Sequence, residues 1–588
     1  MNDGSVIPGT EKADVCTFAV MVEGTDVSGQ FHVLNVEVNR ELNRVPTAMI
    51  ELKDGDSAQA TFPASEAEHF IPGKKIEIKL GYQAKNETVF KGVIVRHSIR
   101  VRKNSSQLII DCRDEAVKMT TEPATRHFAA RTDSEIIEQL VGGHGLQHEV
   151  EPTGAALEES VQFQASDWDY MLCRAEANGM VVLADDGKIR VMRPSTTAAD
   201  ALSVCFGASL IELDAEIDAR WQSQAVNASS WSAADQKLLV AEASEGKAGS
   251  SGNLEAADLA KVAAGKTLLL RHGGGLAQGE LQAWADAQLQ RERLAKVRGR
   301  ARCQGLAAIK PGDVMALNGV GQRFAGKLYV SGVRHSVSGG NWETDVQFGL
   351  QSQQFAALAD LRPLPAAGLL PAVSGLQIGV VTALEGDPAH EERIAVRLPF
   401  ADNVTEGVWS RIACLDAGKD RGSFFRPEVG DEVVVGFLDA DPRHPVVLGM
   451  CHSSAKPAPE ALADKNDLKG YVSRAKLRML FDDDKKSALL ETPAGNRVTL
   501  SEDAKGIVIE DQNGNKITLD DSGVKVESSK DMVFKAVKDI KFEGVNIELK
   551  ASAGFKAAGT ATAEVSGAST TLKGSATTVI QGGMVQIN

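Results

Sequence analysis

Aromatic side chains are scarce in this sequence: 19 Phe, 6 Trp and 4 Tyr in 588 residues. Beyond residue 495 only Phe534, Phe542 and Phe555 remain, and that stretch has no Pro, Cys, His, Trp or Tyr. Thick cores need bulky fillers, so the end of the chain is packed differently from the rest. The seven cysteines (16, 112, 173, 205, 303, 414, 451) form no C-x-x-C pair, which argues against a disulfide framework or zinc ribbon. Buried free thiols and folding in a reducing compartment are expected instead. No uninterrupted apolar run reaches about 18 residues, so no membrane-spanning helix is expected. Met1 to Thr10 has no basic head or apolar run, so no secretory signal is expected either. Basic residues are outnumbered 64 to 79, and a net charge of −15 disfavours nucleic-acid binding.

What is present reads as mainly β with some α. Ile76, Ile78 and Leu80 alternate with lysine and glutamate, and Val95, His97, Ile99 and Val101 alternate with Arg96, Ser98, Arg100 and Arg102. A period of two implies one buried and one wet face. Residues 15–113 and 300–355 read as barrel domains. Residues 114–206 mix α and β. Thr132-x-x-Glu135 and Ser166-x-x-Asp169 are capping-box patterns that start helices. The second helix should stop at Asn178-Gly179, followed by a hairpin that turns at Asp186-Gly187. Residues 207–280 form a weakly patterned insert, with a helix from about 279 to 298 after it.

Residues 366–374 are a linker. Five strands in 375–452 (Leu376–Ala383, Arg393–Phe400, Trp409–Leu415, Glu432–Leu438, Pro445–Met450) fit a small closed barrel of the OB type. Residues 453–495 connect it to 496–588, where short β-runs recur about every eight residues. Val524, Val526, Met532, Phe534, Ile540, Phe542, Ile547 and Leu549 lie on that step. Short β-repeats mark β-helices. Each run offers only about two apolar side chains, and its edges are open to pairing. Winding three chains together would close every edge and give these residues a narrow common axis.

Rival chemistry is weakly supported. His144 and His148 are spaced for metal binding on a helix, but glycines at 142, 143 and 145 disfavour one, and a loop is the better reading. Cys414 with His444 and the Asp482-Asp483-Asp484 run read as inert core and solvated turn. The basic run of Arg291, Arg293, Lys296, Arg298, Arg300 and Arg302 reads as a solvated face or as partner to acidic neighbours. The segment 245–266 reads as a surface loop before a cargo-docking one. No catalytic residue, metal site or cofactor is expected.

Three stretches resemble the VgrG-type spikes of contractile injection machines, a group spanning type VI secretion, phage-tail-like particles and phage baseplate hubs. They are Glu159–Met192 (ESVQFQASDWDYMLCRAEANGMVVLADDGKIRVM), Ile309–His335 (IKPGDVMALNGVGQRFAGKLYVSGVRH) and Pro427–His452 (PEVGDEVVVGFLDADPRHPVVLGMCH). The resemblance implies a homotrimer with a hub over residues 1–365, an OB-fold neck and an intertwined triple-stranded β-helical needle. It implies a non-enzymatic spike that punctures a target envelope, the membrane being only the punctured target. Its implied partners are inner tube and baseplate proteins at the hub, effector cargo, and a PAAR-type tip protein docked on Val585, Ile587 and Asn588. Some relatives end in a His-x-His iron site, but this sequence has no His after His452, so a separate tip protein is expected. The implied setting is assembly in the bacterial cytoplasm and delivery outside or into target cells. A hub with cell-wall hydrolase activity and a trimeric adhesin or fibre are the alternatives.

Overall fold

The computed structural model describes residues 6–9, 15–103, 105–154, 156–246, 251–263, 267–358, 365–398 and 407–587. The chain divides into two compact units, one of Met1–Leu376 with Gly436–Val446, the other of Gln377–Val435 with Val447–Asn588.

The first unit is built on a 13-stranded sheet. Val33–Glu41 pairs antiparallel with Gly326–Ser338, with Val36 opposite Val337 and Val38 opposite His335. Segments 15–113 and 300–355, read in the sequence as separate barrels, therefore share one sheet. Each contributes a long strand whose free edge the other satisfies. Val36, Val38, Ile50, Ile76, Ile78, Leu80 and Leu108 form the buried face beneath. The alternation over 95–101 fails to bury its apolar set: Val95, Ile99 and Val101 are 40%, 51% and 57% exposed. The register slips between Ile94 and Arg96, and the neighbouring strand Thr47–Lys53 reaches only as far as Gln107. The bulge resets the faces, and the hairpin end outruns its cover.

Helix α1 (Asp133–Gly143) begins with both bonds of the Thr132/Glu135 capping box. It runs through Gly142-Gly143, and His144, expected in a loop, is its C-cap. Helix α2 (Asp167–Ala177) is capped by the Ser166 hydroxyl, which accepts from the Asp169 N–H. Gly179 follows at φ +68°, where an added Cβ would come within 2.9 Å of Gln290 Oε1. The hairpin Val181–Asp185/Lys188–Met192 turns at Asp186 and Gly187, both with positive φ. Ile137, Val141, Met171, Leu172, Val182 and Val191 close the core between these elements.

The insert holds a three-stranded sheet and helix α3 (Ala256–Ala263). Val226–Ser232 is the central strand, and its Ala228 packs with Ala241 on Leu281 and Ala285 of helix α4 (Gln278–Leu294). Of the segment 245–266, expected as a surface loop, residues 247–250 and 264–266 lie outside the described residues, while α3 occupies its second half in place of loop. After α4 the basic run meets acid within its own chain. Arg300 reaches Asp214 at 3.0 Å, Arg302 reaches Asp345 at 2.8 Å, and Arg298 reaches Glu216 at 2.7 Å.

In the neck, Gln377–Ala383, Ile394–Arg397, Val408–Ile412, Pro445–Met450 and Glu432–Phe437 close into a five-stranded barrel in that spatial order. Val381, Ile394, Val396, Val433, Val435 and Val447 fill it, all nearly inaccessible. Phe400, the expected end of the second strand, lies outside the described residues. Cys16, Cys112 and Cys303 are buried, as expected of inert thiols, but Cys414 and Cys451 are exposed just past barrel strand ends.

Beyond the barrel runs a seven-stranded antiparallel meander: Leu468–Val472, Arg478–Asp482, Ser487–Glu491, Arg497–Ser501, Gly506–Glu510, Lys516–Asp520 and Gly523–Glu527. It begins ahead of residue 496, where the aromatics thin out. After Glu527 no described residue is in a helix or strand, and 529–587 are all exposed.

Candidate functional site

The meander repeats. Alternate strands start at Arg478, Arg497 and Lys516, nineteen residues apart, and so do their return strands at Ser487 and Gly506. The repeat is visible in the residues themselves: RMLFDDDKKSALLETPAGN is followed by RVTLSEDAKGIVIEDQNGN and then KITLDD. Each unit is one hairpin.

The pairing register sorts the two faces. Met479, Leu490, Val498, Ile509, Ile517 and Val526 lie in one row across the strands, and Phe481, Ala488, Leu500, Ile507, Leu519 and Val524 in the next. Both rows are on the same face. The opposite face carries Arg478, Glu491, Arg497, Glu510, Lys516 and Glu527, an alternating ladder in which Arg497 Nη2 stands 2.7 Å from Glu510 Oε2. The same face also carries the row Leu480, Leu489, Thr499, Val508, Thr518 and Lys525, so it is mixed, with a self-paired charged ladder along one edge, whereas the first face is wholly apolar.

That apolar face is uncovered. Met479, Phe481, Leu490, Leu500 and Val526 are between 44% and 59% exposed, and Val524 is 71% exposed. A continuous apolar face of this length marks an assembly surface. The other expected axis residues, Met532, Phe534, Ile540, Phe542, Ile547 and Leu549, follow in the strandless tail and are exposed too. Phe534 and Phe542 meet edge to face at 6.3 Å. Val585 and Ile587 are exposed, while Asn588 lies outside the described residues. The twelve residues of the meander rows include only Val524 and Val526 from the expected set. The other ten do not follow an eight-residue step, because their period is nineteen.

The turns on one side of the meander are stapled by asparagine. Asn496 Oδ1 accepts from the Gln512 N–H at 3.1 Å, and Asn515 Oδ1 accepts from the Ser529 N–H at 3.1 Å. Asp511 accepts from Asn515 Nδ2 at 2.7 Å and from the backbone N–H groups of Asn515 and Asn513 at 2.9 Å each. The bonds from Asn515, side chain first, pull the Asp511 carboxyl from 3.8 to about 2. A carboxylate held below its unfolded value stabilises above that value and loses this contribution as pH falls through its folded one. Protection of the Asn513 and Asn515 amides should therefore weaken progressively below about pH 4 and be lost near pH 2 in the native chain. In Asp511→Asn, protection should be weaker at neutral pH and show no such step.

The chemical candidates resolve into structural contacts. His144 Nε2 lies 2.8 Å from Asp167 Oδ2, and Asp167 also accepts from Arg126 and from Gln162 Nε2. His148 sits apart on an exposed strand. Asp482 caps its turn by accepting from the Lys485 N–H at 3.0 Å. Among the described residues no three His, Cys, Asp or Glu side chains are grouped to hold a metal ion. No described helix is long and apolar enough to cross a membrane.

Residues 487–588 match the phage baseplate V C-terminal trimerisation domain, and 377–452 match the type VI secretion system/phage-baseplate injector OB domain. The chain belongs to the VgrG-type spike family. Residues 12–339 of this VgrG-type chain, more than half of it, belong to the family described as the Alg8 N-terminal domain. It is 28% identical over 230 residues to the type VI secretion system spike protein VgrG1b of Pseudomonas aeruginosa, covering 36% of this chain and 30% of that one. It is 34% identical over 101 residues to the spike protein VgrG3 of Vibrio cholerae, covering 16% and 10%. The aligned part thus spans less than a third of these relatives' own length. Among solved structures it is similar to a tail protein from Neisseria meningitidis (13% identity, 58% of this chain and 98% of that one, TM-score 0.45). A Francisella PdpA-VgrG complex is similar at 8% identity, 88% of each chain and TM-score 0.38.

Proposed function

We propose that this VgrG-type chain works as a homotrimeric spike at the tip of a contractile injection apparatus. The single observation that carries this reading is the uncovered apolar face of the meander, which from Ser487 onward lies in the stretch matching a trimerisation domain. Three copies turn their apolar rows inward, and the alternating charged ladder faces water. The residues from 529 onward, exposed in one chain, then find backbone partners in the other two. A shaft closed in this way resists the axial load of being driven through an envelope. The hub joins the inner tube and baseplate, and the trimer assembles in the bacterial cytoplasm before delivery.

The role is mechanical rather than enzymatic. The buried acids of the hub are engaged in holding structure: Arg174 grips Asp133 with two bonds at 2.6 and 2.9 Å, and Arg302 grips Asp345. The purified trimer should release no soluble fragments from peptidoglycan; turnover of the wall would contradict this reading.

Docking of a PAAR-type tip protein falls to Val585 and Ile587, which present apolar surface. Truncation after Gly574 is expected to leave the trimer intact and abolish capture of the tip protein in a pull-down. Capture by the truncated trimer would overturn the docking assignment.

A further inference from the structure

Within the hub unit lies a cavity of about 760 Å³, walled by α2, α4, residues 39–47 and residues 347–358. Its size falls inside the roughly 300–1,000 Å³ typical of ligand sites. Two charged groups are sunk in its wall. Glu176 Oε2 on α2 accepts from the Phe355 N–H at 2.8 Å, and Arg291 Nη2 on α4 stands 3.3 Å from the same oxygen. The Arg291 side chain is only 9% exposed, and its Nη1 is buried with no hydrogen-bond partner among the described residues.

A buried guanidinium needs acceptors for its fork of donors, and each one left unmade carries a desolvation penalty. Glu176 supplies a single long contact and is itself committed to the Phe355 backbone. The pair is under-satisfied from both sides: burial pushes Glu176 up and Arg291 down. The rest of the wall is rich in amides, among them Asn43, Gln347, Gln351 and Gln353. Side-chain amides both donate and accept, as a peptide backbone does. A planar carboxylate matches the fork of a guanidinium, and backbone matches the amides.

We infer that this cavity receives the carboxy-terminal end of a partner polypeptide, whose terminal carboxylate pairs with Arg291 while its last peptide groups bond to the amide wall. A chain end fits better than a mid-chain loop, because a loop must pass two strands through the mouth to bring an acidic side chain to the same depth. The inference concerns the hub cavity alone and does not rest on the spike reading.

The test uses the full chain and three pools of amino-terminally labelled random hexapeptides. One has free carboxyl ends, one has amidated ends, and one has amidated ends with a fixed internal glutamate. Fluorescence anisotropy should show binding of the free-acid pool and at least about tenfold weaker binding of both amidated pools, the weight of one charge-assisted contact. Arg291→Met should lose the preference for the free acid, and Arg291→Lys should keep part of it. Because Arg291→Met strands Glu176 and risks misfolding, Gln351→Trp serves as the second variant. It fills the cavity without touching the ion pair and should block binding at an unchanged melting temperature. Equal binding of the free and amidated pools would overturn the inference. So would preference for the internal glutamate, or a structure of the assembled protein with a neighbouring copy or only ordered water on Arg291 Nη1.

Discussion

Phe542→Asp, introduced in the full chain, is expected to abolish the trimer. Phe542 lies in the strandless tail, 67% exposed in the single chain and edge-on to Phe534. In a three-chain shaft the three copies of each axial residue meet at one level. Three aspartates would then be buried with no cation among them. Each unpaired buried charge costs about 3–5 kcal/mol, and the three also repel one another. No neighbouring lysine relieves this, because the adjacent Lys541 points to the opposite side of an extended chain. Phe542→Leu keeps an apolar side chain on the axis and should preserve assembly. Sedimentation velocity at micromolar concentration should find the Asp variant as single chains and the Leu variant as trimers. A trimeric Asp variant would show that Phe542 lies off the axis, and the axial assignment of Ile540 and Ile547 would fall with it.

Deletion of residues 497–515 should be tolerated, whereas deletion of Thr499 alone should not. The first removes one hairpin unit and joins Asn496 to Lys516. Strand Ser487–Glu491 then meets Lys516–Asp520 as it met Arg497–Ser501, with Glu491 opposite Lys516 in place of Arg497 and Leu490 opposite Ile517 in place of Val498. Both apolar rows and the charged ladder survive, and the shaft is shorter by one unit. Removing Thr499 leaves the strand count unchanged but moves Leu500 off the row of Ala488 and Ile507 to the place between Leu489 and Val508 on the opposite face, since a one-residue slip inverts every side chain beyond it. Taking that leucine out of the trimer's apolar interior costs about 1.5–3 kcal/mol in each copy, before any loss of the Asn496 staple. The 19-residue deletion should retain a cooperative melting transition of the trimer, and the one-residue deletion should lose it. The opposite ranking would mean that the hairpin repeat does not govern the shaft.

Much of this architecture is readable where the signal is local. The Thr132/Glu135 box, the stop at Asn178-Gly179 and the Asp186-Gly187 turn depend on residues a few positions apart, and the structure holds each of them. The five neck strands are equally local, because alternating valines separated by short turns leave few other registers. Pairing between Val33–Glu41 and Gly326–Ser338 is different. Nothing near either strand names its partner, so the two look like parts of separate barrels. The insert strand Val226–Ser232 is masked by its Asn, Ala and Ser content and becomes a strand because α4 covers its small residues. Helix α1 runs through Gly142-Gly143 because its last turn is held by the His144 cap, which outweighs the poor helix propensity of two glycines.

The shaft shows both outcomes at once. Low aromatic content correctly marks chain that is thin in bulky fillers, but it sets the change near residue 496. The meander starts at Leu468 because its early hairpins still use Tyr471 and Phe481 on a sheet broad enough to take them. A search for short steps finds Val524 and Val526 and overlooks the nineteen-residue rows before them. Oligomerisation was legible from packing need alone: apolar residues on runs too short to bury them require other chains, and the exposed rows of the structure state that need residue by residue.

The most direct test is the solution mass of the unmodified full chain, measured by multi-angle light scattering at micromolar concentration. The mass of three chains, with no detectable single chain, is the predicted result. A stable single chain whose meander and tail are folded would contradict the central claim, because it would show that the apolar face is closed without partners.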